Sequence, residues 1–206
     1  MQLRAEAVSL WAPLCLVGAY LNLELMRRFS ELAPRLGEAL YDVAIYRKAG
    51  EAILAGKVPL PYHDFPIEYP PGSLPIFVPP ALFSSSRGGY ANLFASEMAL
   101  VLVAALLLTA CAARSLGRPW PVLPAVVFAA GAILLYPVAV TRYDAVVALT
   151  LAAAVALASS PAFGRNGAAG TAAYVATYAI LGFGAVAKLV SALVTLPLAL
   201  LAARKA

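Results

Sequence analysis

Long uncharged stretches alternate with short charged turns along most of this chain. A membrane-spanning helix needs about 20 mostly apolar residues. Several of the stretches have about that length, and the last one is shorter. The pattern predicts an all-α integral membrane protein with about six transmembrane helices. We place them at about 7–27, 90–113, 120–141, 145–163, 168–187 and 189–204.

The polar residues concentrate in the region 28–89, between the first two predicted spans. Within it, apolar positions recur at helical spacing over 41–55, with charged side chains opposite, and Gly56 follows. This pattern predicts an amphipathic helix at the membrane interface. Residues 71–86 are uncharged but hold four prolines. We expect a proline-broken segment at or dipping into the surface, because proline interrupts regular helices.

Composition supports a membrane environment for a single module covering residues 1–206. The chain is 63% hydrophobic and 12% charged, whereas soluble domains carry roughly 25% charge. Its net charge of +5 comes from scattered basic residues, which argues against a nucleic-acid surface and for orientation against anionic lipid. The two cysteines, Cys15 and Cys111, lie in apolar runs, and we expect buried thiols rather than a disulfide.

The basic residues also predict an orientation. With the N-terminus inside and 7–27 retained as an anchor rather than cleaved as a signal, 28–89 becomes the first extracytoplasmic loop. Short inside segments then hold six basic residues and short outside turns hold two. The inside residues are Arg4, Arg114, Arg118, Arg165, Arg204 and Lys205, and the outside residues are Arg142 and Lys188. We therefore predict a multi-pass cell-membrane protein with an extracytoplasmic active face.

Charges at the edges of membrane spans are costly and call for an explanation. Arg142 and Asp144 flank one turn, where they could pair with each other or face an outer cavity. Lys188 could snorkel to the interface or offer a positive charge to an anionic ligand. Asp42 opens the amphipathic helix, and its local pattern favours a helix N-cap. His63 is the only histidine, and its spacing from Asp64 and other acids supports no metal site.

These residues resemble a known enzyme family. Asp42 lies one turn before a Tyr-x-x-small-x-x-aliphatic pattern that begins at Tyr46, and Pro61-Tyr62 and Glu68-Tyr69-Pro70-Pro71 follow. This loop is similar to the first outer loop of GT-C glycosyltransferases, particularly the polyprenyl-phosphate-mannose-dependent mannosyltransferases of the phosphatidylinositol-mannoside and lipoglycan type. The segments 136–144 and 182–197 resemble later elements of that family more weakly. Family members usually continue beyond Arg204, so the chain is expected to be an amino-terminal module.

The resemblance implies a role for each matching position. Asp42 corresponds to the general base of an inverting transfer, and Arg142 and Lys188 to basic residues near the lipid phosphate. A carboxylate can take the acceptor's proton as it attacks, and a single displacement needs no second carboxylate as nucleophile. We expect substrate-binding roles for Tyr46, Tyr62, His63, Asp64, Glu68, Tyr69, Arg142, Asp144 and Lys188.

The leading hypothesis is glycosyl transfer, mannosyl in the first instance, from a polyprenyl-phosphate sugar to an extracytoplasmic glycolipid or glycan. The expected partners are membrane lipids, these substrates and a second membrane subunit, with no cofactor beyond the donor and no nucleic acid. A second hypothesis is a non-catalytic lipid-binding or scaffold subunit, or half of a larger enzyme. A transporter or channel is the third, although it predicts polar residues strung through several spans.

Overall fold

The computed structural model describes residues 2–33, 40–56 and 69–188. Within these ranges the fold is all-α, as predicted, and contains no strand. A 3-10 turn occupies Pro71–Ser73. The helices are α1 (Gln2–Leu32), α2 (Tyr41–Leu54), α3 (Leu74–Phe83), α4 (Arg87–Ser115), α5 (Val122–Leu134), α6 (Val138–Thr141), α7 (Asp144–Ala158) and α8 (Ala168–Ala187). The predicted helix at 189–204 lies outside the described residues.

Helix α4 is the centre of the bundle and contacts α1, α2, α3, α5, α6 and α7. Its start is fixed by Ser86, whose hydroxyl accepts a hydrogen bond from the Gly89 N–H at 3.1 Å. Ala95, Ala99 and Ala105 on this helix are fully buried. Such small side chains let neighbouring helices approach closely, which explains how one helix can serve so many partners.

Helix α1 is longer than the predicted 7–27. Its last turns carry an ion-pair ladder in which Arg27 bonds Glu24 at 2.8 Å and Glu31 at 2.7 Å, while Arg28 bonds Glu24 at 2.6 Å. Pairs three and four residues apart support a helix where the apolar pattern has ended. The predicted boundary was too early because it followed hydropathy alone.

Helix α2 confirms the predicted amphipathic helix to within one residue at its end. Gly56 adopts a left-handed conformation (φ 61°) and its N–H bonds the Ile53 carbonyl at 3.1 Å. Glycine tolerates this conformation without steric cost, so it ends the helix cleanly.

Two predicted spans are shorter in the structure. The predicted 120–141 helix ends at Leu134 and resumes only as the short α6, because Pro137 lacks an N–H and disfavours helix at the residue before it. The predicted 145–163 helix ends at Ala158, three residues before Pro161.

The proline-rich segment 71–86 is interrupted as predicted, with a 3-10 turn followed by the ten-residue α3. Pro75 lies in the first turn of α3, where a missing N–H costs nothing. Pro79 and Pro80 lie inside the helix without ending it. At about 1.5 Å per residue, α3 is far too short to cross a bilayer.

Two helices in the described ranges, α4 and α8, are long and apolar enough to cross a membrane. The structure therefore does not confirm six spans. Large apolar side chains are exposed on the outer helices, including Leu16 on α1 (72%), Leu134 on α5 (81%) and Val175 on α8 (58%). Both cysteines are free, but Cys15 is exposed on α1, so the prediction of a buried thiol is wrong there, and Cys111 is only half-buried.

Candidate active site

The first turn of α2 carries Asp42, whose side chain is only 17% exposed. Its Oδ2 pairs with Arg142 Nη2 at 2.8 Å, and its Oδ1 accepts a hydrogen bond from the Tyr69 hydroxyl at 3.1 Å. The N-cap interpretation is wrong, because Leu40 occupies the cap position and no side chain caps the helix. Asp42 still suits the helix dipole, but its partners lie far away in the sequence.

The turn between α6 and α7, Arg142-Tyr143-Asp144, connects the two ion pairs of the site. Arg142 reaches back to Asp42, while Asp144 pairs with Lys188 at the end of α8. The expected alternative of a local Arg142–Asp144 pair is therefore not what closes the turn. Tyr143 between them is 3% exposed. Backbone geometry explains the split, since Arg142 is extended (φ −125°, ψ 147°) whereas Asp144 already begins α7.

Aromatic rings fill the space behind the charged groups. Tyr46 stacks on Phe77 with ring centroids 4.4 Å apart and an interplanar angle of 6°. Tyr143 lies edge-on to Tyr46 at 5.8 Å, to Tyr69 at 5.7 Å and to Phe77 at 5.7 Å. Phe94 of α4 contacts Tyr46 at 5.2 Å. Edge-to-face rings pack favourably and rigidly, so this cluster fixes the position of the polar tips.

Two glycines allow the surrounding segments to close on one another. A Cβ at Gly72 would lie 2.7 Å from the Val186 carbonyl carbon, which shows that the turn after Tyr69 rests directly on the end of α8. A Cβ at Gly50 would collide with the Phe77 carbonyl, so α2 and α3 touch backbone to backbone. Both approaches need glycine because any side chain would meet backbone atoms.

The site is balanced in charge and contains neutral phenols. Asp42 and Asp144 face Arg142 and Lys188, and the Lys188 ammonium also lies 5.4 Å from the Tyr143 ring centroid. Burial raises the pKa of Tyr46, helped by its hydrogen bond with Tyr69. Burial is also the main cause that raises the pKa of Tyr69. Both hydroxyls therefore remain protonated near neutral pH.

An apolar groove of about 370 Å³ runs from the site between α4, α5, α6 and α7. Asp144 is the single charged side chain among the described residues that line it. Leu102, Phe128 and Leu135 give the rest its apolar character. The groove thus ends beside the Asp144–Lys188 pair and can accept a hydrophobic chain attached to a charged group.

The structure brings together six of the ten predicted site residues. They are Asp42, Tyr46, Tyr69, Arg142, Asp144 and Lys188. The other four predictions lie outside the described residues: Tyr62, His63, Asp64 and Glu68. In the described ranges no three His, Cys, Asp or Glu side chains are grouped to hold a metal ion.

Sequence reasoning missed Tyr143 and Phe77 as members of the site. Tyr143 had a usable signal, because tyrosine is enriched at membrane interfaces and this residue lies at a predicted span edge. Phe77 had none, since it lies in a uniformly apolar segment.

No protein-family model, curated protein or solved structure matches this chain.

Proposed function

We propose that the protein is a multi-pass membrane glycosyltransferase. It moves a sugar, mannosyl in the first instance, from a polyprenyl-phosphate donor to a hydroxyl of an extracytoplasmic glycolipid or glycan. The main support for this proposal is that Asp42, Arg142 and Lys188 lie around one turn, beside an apolar groove. A partly accessible carboxylate, two cations and a hydrophobic channel are the parts that such a reaction needs.

The helix order supports the membrane placement. If α1, α4, α5, α7 and α8 alternate in direction through the bilayer, one face receives the end of α1, the start of α4, the end of α5, the start of α7 and the end of α8. The site is built from elements at that face, including the start of α7 and the end of α8. Exposed apolar side chains on α1, α5 and α8 suit contact with lipid.

Asp42 is the proposed general base. The acceptor oxygen attacks the anomeric carbon and forms the new C–O bond, and its proton passes to the Asp42 carboxylate. The bond between the anomeric carbon and the phosphate oxygen breaks, and its electron pair leaves with the lipid phosphate. A carboxylate has about four lone-pair sites, and Tyr69 and Arg142 each occupy one. The remaining sites can receive the proton, and one displacement inverts the anomeric centre.

Arg142 and Lys188 stabilise the negative charge on the leaving phosphate. Their carboxylate partners hold them in position before the donor arrives, and neither cation is exhausted by its pair. An ammonium has three N–H donors and a guanidinium has five. Arg142 is 52% exposed, so part of its donor fork is open to a ligand. The groove beside Asp144 takes the prenyl chain and brings the phosphate to this level.

The decisive test is Asp42→Asn in the full chain reconstituted in liposomes with polyprenyl-phosphate-mannose and a glycolipid acceptor. Transfer should fall at least about a hundredfold, the usual contribution of a positioned base. Donor binding, followed by native mass spectrometry, should persist because the cations and groove are unchanged. Glu31→Gln, at an exposed acid on α1, is the matched control and should transfer normally. Full transfer by Asp42→Asn would refute the assignment of Asp42 as the general base.

A second candidate is a non-catalytic lipid-binding or scaffold subunit that works with another membrane protein. It is favoured by one observation: both oxygens of Asp42 already have partners, as in a purely structural network. This alternative expects donor-lipid binding without transfer by the chain alone, together with co-purification of a second membrane protein whose addition restores transfer.

A further inference from the structure

A second cavity, of about 440 Å³, lies on a different face of α2 from Asp42. The end of α1, the helix α2 and the start of α4 enclose it. The described residues that line it include Phe29, Val43, Ala44, Arg47, Arg87 and Tyr90. The cavity is separate from the groove at Asp144, with which it shares no described lining residue.

The described lining carries positive charge and no carboxylate. Arg47 donates from Nη1 to the Ser85 carbonyl at 2.8 Å and lies 3.4 Å from Glu51, yet its buried Nε has no hydrogen-bond partner among the described residues. The exposed side chain of Arg87 forms no ion pair with a described residue. A buried N–H without a partner is costly and indicates a missing acceptor.

The remainder of the lining is apolar. Phe29, Val43, Tyr90 and Ala91 are each at most 7% exposed overall, and they form the inner wall. A small soluble anion would use the arginines but leave this wall unfilled. An anion that carries a hydrocarbon chain would use both, so charge and shape favour an amphiphile.

We propose that this cavity binds an anionic glycerophospholipid, with its phosphate between Arg47 and Arg87 and the start of an acyl chain against Phe29 and Val43. Arginine suits phosphate because its planar fork can donate two hydrogen bonds to it. The inference uses the membrane placement proposed above but not the transfer chemistry. With that placement, the end of α1 and the start of α4 lie at headgroup level.

Native mass spectrometry of the delipidated full chain in detergent tests this site, with phosphatidylglycerol as the probe. Phosphatidylcholine of the same chains and inorganic phosphate form the other two arms. Wild-type protein should retain phosphatidylglycerol preferentially. Arg87→Gln should weaken retention about fivefold, the usual effect of one basic residue at an anionic surface. Ala44→Phe, which keeps both charges but fills the cavity, should weaken it as well.

Arg118→Gln, in the turn between α4 and α5, removes an equal charge elsewhere and should bind like wild type. Asp42→Asn should also bind like wild type, so a failed transferase hypothesis and a failed lipid site give different results. Equal retention of phosphatidylcholine, tighter binding of inorganic phosphate than of the lipid, or unchanged binding by both Arg87→Gln and Ala44→Phe would each overturn the proposal.

Discussion

The two sides of α2 face very different surroundings. Toward α3 and α7, Asp42 and Tyr46 meet a filled aromatic cluster in which each described charge has a partner of opposite sign. Toward α1 and α4, Arg47 borders an open cavity and keeps a buried N–H without a partner. One fourteen-residue helix thus separates a preorganised charged site from an unfilled one. The contrast shows that one helix can border both a filled cluster of paired charges and an open cavity with a positively charged lining.

The largest expected effect comes from moving α2 itself. Gly50→Ala places a methyl group against the Phe77 carbonyl and should cost about 1–3 kcal/mol, as overpacking usually does. The thermal stability in detergent should fall. Both sides of the helix should be affected, with lower transfer on the Asp42 side and weaker phosphatidylglycerol retention on the Arg47 side. Gly182→Ala is the matched control, because a Cβ there meets open space. Loss on one side only would show that the two sites do not share α2 as a wall.

A smaller effect should separate the two sides. Arg142→Gln breaks the ion pair with Asp42, and a double-mutant cycle with Asp42→Asn should give a coupling of about 1 kcal/mol or less in thermal unfolding, because Arg142 is half exposed. Transfer should fall while phosphatidylglycerol retention stays constant. A coupling well above 1 kcal/mol would contradict the half-exposed pair.

The most local effect is expected at Tyr69. Tyr69→Phe keeps the ring in the aromatic cluster and removes its hydrogen bonds with Asp42 and Tyr46, at a cost of about 0.5–1.5 kcal/mol for each bond. The kcat of transfer should fall more than the KM changes, because the residue positions the base rather than the donor. Tyr41→Phe, at an exposed position in the first turn of α2, should change neither kcat nor KM. If Tyr41→Phe reproduced the effect, the hydrogen bond would not be the cause.

Local signals predicted the elements whose boundaries depend on local chemistry. Gly56 and the apolar spacing located α2, and α8 begins and ends where the uncharged run predicted. Predicted helix boundaries were wrong where hydropathy and backbone chemistry disagree. Pro137 is apolar, yet the helix that precedes it ends at Leu134. Hydropathy also could not predict that α1 continues through Arg27 and Glu31, because an ion pair between these side chains stabilises its last turn.

The members of the site were more predictable than its connections. Topology alone suggested that Asp42, Arg142 and Lys188 share one face, because Asp42 lies in the predicted outer loop and the other two lie in predicted outer turns. Which acid meets which base depends on the extended backbone at Arg142 and on the fit of Tyr143 among other rings. Those features arise from packing between distant segments, and no local pattern encodes them.

The close contact between Gly72 and the end of α8 has a consequence for biosynthesis. Asp42 and Tyr69 emerge from the ribosome long before Arg142, and Gly72 finds its resting surface only after residues 186 and 187 have been made. Asp42 therefore has no cationic partner until α3, α4, α5 and α6 have been made. Pairing over such separations slows folding, so a nascent chain stalled before Arg142 should present Asp42 without its cation until elongation resumes.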